Sequence, residues 1–515
     1  MFSAKQLALQ LGVILFLWNL TILGGSFKGS RPPSKWECFR SLIHLLPPVF
    51  LYLFAWLADQ STDPALVWFY ALFVFRYYKT VISVYYWFQY KPAVAVSIPT
   101  YTPDDCTVIL PTAGPNDRET FVDSICAILM NKPKHVIIAT ATEKVQELVK
   151  TVLAEMISKN GQLKYQLEHN LGKFEVPVSA IQVINCNAAN KRIQFLTASR
   201  LVKTKLIASV DDSAVWGPRL LLGTLPAFDD SNVGLVGTKK WVKRLEWKDD
   251  PTKSCLANWL GAYWQGFSNT LFALYLIRHN FEIQSSNAAD GGVFCVSGRT
   301  AFLRSQIVRD PEFEHDFLNE YAFDFCGFKR GANLAADDDL FIVRWVTKRD
   351  WTIKMQLADD ATVTITMKAT LQVFVQKCLR WSRTIVRQNP KALFGDRVIW
   401  YKWPITVWTT YLPWMWNASL LWDPALVITL LRTAMYKQSM NKVSVILALV
   451  GFIYATKLIK TVPWFWANPD YFFLYFFPIP LTPLFSHFHS LLKIWTYITA
   501  IDTSWSGRKL PPKQS

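Results

Sequence analysis

Long apolar runs at both ends of the chain, separated by a stretch of mixed polarity, restrict this sequence to architectures in which lipid supplies part of the burial. Residues 7–25, from Leu7 to Gly25, carry no charge and have spanning length; a second run follows at 41–58 and a third starts near 65. Beyond the middle lie 404–422, a short piece at 424–436, 443–463 and 471–498. The 515 residues exceed one compact domain, and 51% hydrophobic content with 23 Trp and 35 Phe is high for a chain surrounded by water. Lys28, Arg31, Lys35 and Arg40 separate the first two runs, whereas Asp59 and Asp63 separate the second from the third. The positive-inside tendency then makes the first connection, and the middle of the chain, cytosolic. A cleaved signal peptide is the competing reading of 7–25, but no small-residue cleavage site follows it. Residues 1–90 are thus expected to hold about three N-terminal membrane helices, 398–500 the C-terminal ones and 501–515 a cytosolic tail. Asp423 would face outside, and Lys457 and Lys460, toward the outer half, are expected to snorkel.

Residues 104–365 have the texture of a cytosolic α/β domain. Cys106–Pro111, His135–Thr140, Ile181–Asn185, Leu206–Val210 and Val233–Val236 are short apolar runs of strand length. Helical patterns alternate with them: Arg118 to Met130, then Val145, Leu148, Val152 and Met156 behind an N-cap at Thr142. Alternation of this kind predicts a mostly parallel, Rossmann-like sheet that collects its ligands at the strands' carboxyl ends.

Between this domain and the apolar tail, residues 366–397 contain Gln376-Lys377-Cys378-Leu379-Arg380-Trp381, of the form Gln-x-x-Arg-Trp. Leu371, Phe374, Val375, Cys378, Leu379, Ser382, Ile385 and Val386 share one helical face, and Lys368, Lys377, Arg383 and Arg387 the other. Such a helix suits the membrane surface, apolar side down, and equally suits an ordinary solvent-exposed position. The net charge of +17 fits an anionic membrane face or a phosphorylated substrate; with no basic arm or nucleic-acid motif, no nucleic-acid partner is expected. Eight cysteines without a Cys-x-x-Cys pair read as reduced thiols.

Two acidic clusters bear on chemistry. Asp211-Asp212 follow the Leu206–Val210 run, where paired carboxylates suit a hard divalent cation bridging a diphosphate, Mg2+ or Mn2+. They equally suit a turn that caps the next helix. Asp337-Asp338-Asp339 repel one another, and burial of one would raise its pKa toward that of a general base; solvated residues at a helix start are the plain alternative. Asn190-Lys191-Arg192 could set cations against a diphosphate, and the segment from Cys295 through Ser297-Gly298-Arg299 could turn closely under a substrate.

In this order and spacing the pieces resemble the membrane-embedded, inverting family-2 glycosyltransferases: hyaluronan, chitin and cellulose synthases and their fungal relatives. The resemblance covers residues 104–390 and the tail. It implies a nucleotide-sugar transferase domain set between membrane helices, with Asp211 and Asp212 holding the metal and one of Asp337, Asp338 and Asp339 supplying the base, which the alignment leaves as Asp338 or Asp339. It further implies donor and acceptor contacts from Lys191, Arg192, Asp211, Ser297, Gly298, Gln376, Arg380 and Trp381. Trp505 and Arg508 resemble a shortened gating loop of hyaluronan synthases. Asp211-Asp212-Ser213 departs from the usual Asp-x-Asp, and Ala139-Thr140-Ala141-Thr142 lacks the acid that often meets the base, so uridine recognition rests on the resemblance alone. The expected activity is processive, metal-dependent elongation of a growing polysaccharide from a UDP-sugar, with possible export, by a multi-pass plasma-membrane protein. A non-processive transferase acting on a ceramide-type lipid, and a transporter carrying a degenerate transferase domain, are the rivals.

Overall fold

The structure, a computed structural model, describes residues 9, 12–13, 32–115, 117–157, 180–324, 334, 337–367, 370–476 and 481–503, the side chains of 481–484 aside. The first expected span, 7–25, apart from residues 9, 12 and 13, and the pair Trp505 and Arg508 lie outside the described residues. The chain divides into two compact units. One comprises residues up to Tyr90, Phe281–Gly292 and Asn389–Ile498; the other comprises Lys91–Asn280, Val293–Gln388 and the residues from Thr499.

The second unit is built on nine strands, ordered β3-β2-β1-β4-β7-β6-β9-β5, with β8 on the flank of β6. β1 (Cys106–Thr112), β2 (His135–Thr140), β3 (Ile181–Asn185) and β4 (Leu206–Val210) run parallel to one another. β1 and β4 are buried at every position. Burial on both faces is why they read as unbroken apolar runs and not as alternating ones. The Arg118–Met130 and Glu143–Met156 helices cover this half with Phe121, Ile125, Ile128, Val149 and Val152. Each such side chain withdrawn from water contributes about 1.5–3 kcal/mol. Thr142 caps the second helix by accepting from Val145 N, as its position ahead of the apolar periodicity predicts.

The other half breaks the parallel pattern. β7 (Thr300–Arg304) runs antiparallel to both β4 and β6, and β5 (Ala214–Trp216) antiparallel to β9 (Thr362–Ile365). The sheet is therefore mixed. β6 runs from Val233 to Val242, well past the expected end at Val236, and serves two partners in turn: β8 (Thr352–Gln356) along its first part and β9 along its second.

In the first unit, Lys35–Gln60, Pro64–Gln89 and Lys442–Ala467 are long and apolar enough to cross a membrane. They keep large apolar side chains exposed, among them Leu46, Tyr70, Val443 and Leu447. Such surface suits contact with lipid. The 404–422 stretch is broken into short turns, and the next helix, Ser419–Arg432, carries Pro424 inside it. Asp423, expected at the outer face, is instead buried against Arg76 Nη2 at 3.1 Å, Lys457 Nζ at 2.8 Å and the imidazole of His487, Nε2 at 3.1 Å. Lys460 pairs with Glu282 at 2.6 Å. Both lysines expected to snorkel thus find carboxylates within the unit, which costs less than an unpaired charge in apolar surroundings.

Candidate active site

Four segments meet where β1 and β4 end. β4 delivers Asp211, and because β7 runs antiparallel to it, with Val210 opposite Thr300, the residues just ahead of β7 lie beside that carboxylate. Asp211 N donates to Arg299 O at 2.9 Å. β1 ends level with β4, and Thr112 Oγ1 donates to Asp212 Oδ2 at 2.8 Å. Beyond β3 the Lys191–Ser199 helix starts at this edge, its cap Asn190 accepting from the amides of Arg192 and Ile193. The Asp338–Lys348 helix brings two carboxylates in its first turn, where the helix dipole favours negative charge.

Lys191 ties three of these segments together. Its Nζ donates to Asp211 Oδ1 at 2.9 Å and to Gly298 O at 3.1 Å, and pairs with Asp338 Oδ2 at 3.1 Å. Burial works to discharge this ammonium, but Asp211 and then Asp338 outweigh it and hold its pKa above the ordinary lysine value. Gly298 is the close-approach residue: a Cβ built there stands 3.1 Å from Lys191 Nζ and 3.6 Å from Asp339 Oδ2. Its amide points at Asp339 Oδ2, 3.4 Å away.

The aspartate triplet separates into three environments. Asp337 is in the left-handed region at φ 65° and fully engaged, accepting from Thr384 Oγ1 at 2.5 Å and from Arg387 Nε and Nη2 at 2.8 and 2.9 Å. That bidentate pair is buried, so Asp337 anchors the helix start and has no oxygen to spare for a substrate. Asp338 faces Lys191, which overcomes the effect of burial and keeps its carboxyl below the usual range. Asp339 accepts from Leu340 N with one oxygen and turns the other toward Cys295 Sγ and Gly298 N, both at 3.4 Å. Burial first, and the neighbouring Asp338 charge second, push its pKa up to about 6. Burial and Asp339 likewise hold the Cys295 thiol well above its ordinary value, so it is no nucleophile.

Arg192, expected beside Lys191 at the donor, points elsewhere. Its guanidinium is buried on Phe317 O at 2.6 Å and Glu320 Oε2 at 2.8 Å, against the rings of Phe317 and Phe341. Glu320 also receives Arg344 at 2.7 Å and Gln388 at 3.2 Å. Successive helical residues point about 100° apart, so a helix end that aims Lys191 into the site aims Arg192 into the packing behind it.

The Leu371–Pro390 helix carries the Gln-x-x-Arg-Trp motif. It buries Phe374, Cys378, Ser382 and Val386, the expected apolar face; Arg387, expected on the solvated face, is the buried partner of Asp337. Gln376 is exposed, and its side chain makes no hydrogen bond among the described residues. Trp381 stacks on Tyr275, ring centroids 5.3 Å apart, so one face of its indole is covered. Around the same ring lie two guanidinium carbons, Arg380 at 6.0 Å and Arg299 at 5.8 Å. Arg299 was not singled out as a site residue by sequence reasoning, because only the β4–β7 pairing brings it beside Asp211. Burial and then Arg380, opposed by Asp211, hold its pKa down to about 10, so it is a cation at neutral pH. Ser297 Oγ faces its own turn, accepting from Arg299 N at 3.5 Å. Further along the motif helix, Arg383 bonds Thr499 and Asp502 and Arg387 bonds Ala500 O, so the chain leading to Trp505 and Arg508 sets out from this helix.

The donor set for a divalent cation is small. No group of three His, Cys, Asp or Glu side chains converges among the described residues. Asp212 is held by Thr112, while Asp211 keeps its second oxygen clear of hydrogen bonds among the described residues, with 36% of its side chain exposed. Mg2+ and Mn2+ commonly take one or two carboxylates and complete their shell with waters and substrate phosphates. Asp211, with Asp212 behind it, fits a cation that arrives with a diphosphate.

Comparison with known proteins identifies the family of the chain. The sequence profile described as "Glycosyltransferase like family 2" matches residues 103–384. A "Type 2 glycosyltransferase" of Pyricularia oryzae is 30% identical over 90% of this chain and 86% of its own length. One of Zymoseptoria tritici is 31% identical over 86% and 84% respectively. The "NDP-glycosyltransferase ltbB" of Aspergillus luteorubrus is 27% identical over 64% of this chain and 72% of its own. Among solved structures, a mannosyltransferase of Pyrobaculum calidifontis in complex with GDP-Man and Mn2+ superposes with a TM-score of 0.46 at 13% identity, over 84% of this chain and 99% of its own.

Proposed function

Since the chain belongs to glycosyltransferase family 2, whose members use nucleotide sugars, we propose that it is a membrane-embedded, inverting transferase that adds sugar from a UDP-sugar to a growing polysaccharide. The observation that carries this reading is the contrast between Asp338 and Asp339. Lys191 holds one ionised, while the other keeps an oxygen turned toward Gly298 and a pKa of about 6. Of the two candidates for the base, Asp339 is therefore the one we assign: a carboxylate near neutrality both accepts a proton and exists in the accepting form.

In this reading an acceptor hydroxyl gives its proton to Asp339 as its oxygen attacks the anomeric carbon. The new C–O bond forms on the face opposite the breaking bond to the diphosphate, so the configuration inverts. The diphosphate leaves with the bonding pair, and Arg380 stabilises the charge that gathers on it. A divalent cation held by Asp211 and Asp212 would supply further neutralisation when bound with the donor. Lys191, already shared between two carboxylates, positions Asp211 and Asp338 about the Gly298 peptide. Arg192 acts behind it, fixing the helix through Glu320. Trp381, whose ring gathers Tyr275, Arg299 and Arg380, is read as a lining residue of the donor and acceptor site.

Three helices among the described residues, long and apolar enough to span a membrane, support an embedded enzyme; the cytosolic placement of its transferase unit is our reading of the loop charges. Trp505 and Arg508 are kept as donor-site residues on the family resemblance alone. The test is product size. Purified protein is given radiolabelled UDP-glucose, UDP-N-acetylglucosamine and UDP-glucuronate, singly and in pairs, and the products are run on a gel. Polymer of increasing length is expected; one sugar on an extractable lipid would replace the synthase reading with the lipid-transferase one.

A further inference from the structure

The donor cations named so far leave one charged group of the site without a task. Arg299 is half-buried, and among the described residues its guanidinium makes no hydrogen bond and no ion pair. It lies against the rings of Trp381 and Phe272, at 5.8 and 5.9 Å, and those rings are themselves stacked 6.5 Å apart. Contact of this kind holds a guanidinium in place through the ring quadrupole and leaves its in-plane N–H donors unspent.

Its surroundings make the omission expensive. Arg380 approaches the same indole, so two cations gather about one ring. The carboxylate whose charge bears on Arg299, Asp211, has its amide bonded to Arg299 O and has given one oxygen to Lys191. Lys191 is consumed by Asp211 and Asp338. Two closely placed guanidinium groups in a partly desolvated site are stabilised by an anion that takes hydrogen bonds from them.

We propose that Arg299 grips the diphosphate of the nucleotide donor, acting with Arg380 as a two-arginine clamp beside Asp211. A diphosphate is favoured over an acidic acceptor sugar because Arg299 is fixed by its backbone to Asp211, the residue suited to the cation that accompanies a diphosphate. Every turnover presents that anion and then releases it as the leaving group. The clamp forms on the Trp381 ring, which makes the Ser-Gly-Arg turn and the Arg-Trp motif a single diphosphate site. This assignment rests on the reading of the chain as a nucleotide-sugar transferase.

The experiment measures binding of uridine, UMP and UDP, with the guanosine series in parallel, to the full-length protein in nanodiscs by calorimetry. The base that wild type prefers is carried forward, and Arg299→Ala and Arg299→Lys are compared with it. Charge-assisted hydrogen bonds lost from one guanidinium predict diphosphate binding weakened about ten- to a hundredfold in Arg299→Ala, and less in Arg299→Lys. Monophosphate and nucleoside binding stay at wild-type strength, which also shows that the variants are folded. Diphosphate binding at wild-type strength in Arg299→Ala, with wild type still preferring diphosphate to monophosphate, overturns the clamp and leaves the transferase reading standing. Equal weakening of all three ligands also overturns it, by making Arg299 a structural residue. Wild-type protein that binds no nucleoside diphosphate overturns the transferase reading and the clamp together.

Discussion

Asp338→Asn tests the electrostatics of the site through the pH dependence of its neighbour. In the wild type, burial and the Asp338 charge raise the Asp339 carboxyl from 3.8 to about 6. A base must be ionised to act, so the rate rises with pH through about 6 and levels above it; at pH 5 about a tenth of the plateau remains. Replacing Asp338 with the neutral amide removes the repulsion while burial persists. Like charges at this range are worth about one pKa unit, or about 1.4 kcal/mol, so the midpoint drops to about 5 and the variant keeps about half of its own plateau at pH 5. The sign is firm: losing a negative neighbour favours the ionised form and moves the limb to lower pH, and Lys191, released from Asp338, pushes the same way. The assay is diphosphate release in a single turnover, pH 4.5 to 8, so that product release does not mask proton transfer. A midpoint that stays at 6 or moves upward refutes the assignment of Asp338 as the perturbing charge. A flat wild-type profile refutes Asp339 as the base.

Three further outcomes follow from the same contacts. Gly298→Ala sets a methyl 3.1 Å from Lys191 Nζ; the expected result is a turnover at least about tenfold lower with little change in melting temperature, since the displaced groups belong to the site and not to the core. Arg387→Ala leaves Asp337 charged and buried without its partner, a loss of about 3–5 kcal/mol by denaturant unfolding, whereas Arg383→Ala, facing the more exposed Asp502, costs less than about 1 kcal/mol. Arg192→Ala strips Glu320 of one of its two arginines; it should lower stability by a few kcal/mol, about the cost of breaking a buried pair, while the remaining folded enzyme keeps the wild-type KM for donor, the opposite of what a donor-binding residue would show.

What could be read from residues alone was whatever depends on period and order. The strands β2 and β4 have the bounds that their apolar runs predict, because segments buried on both faces leave an unbroken signal, and β3 keeps its expected bounds although it is only partly buried. The Asp211 pair lies at a strand's carboxyl end for the same reason. Distribution of roles among adjacent residues was not readable. Lys191 and Arg192 are both basic, and only the start of their helix decides which enters the site. The three aspartates look alike in sequence; the left-handed turn at Asp337, with Arg387 from another helix, consigns the first to structure and leaves the next two to chemistry. Arg299 was read only as part of a close turn, and not as a site cation, because an antiparallel strand amid parallel ones carries no local mark. Lys457 was mistaken for a snorkelling residue because its partner, Asp423, is on a different helix.

The account stands most directly on diphosphate release from a UDP-sugar by purified wild-type protein and its Asp339→Asn variant, which has the same shape and cannot take a proton. Turnover by the wild type with a loss of about a hundred- to ten-thousandfold in the variant, nucleotide binding intact, is the predicted result. Equal turnover by the two proteins would contradict it.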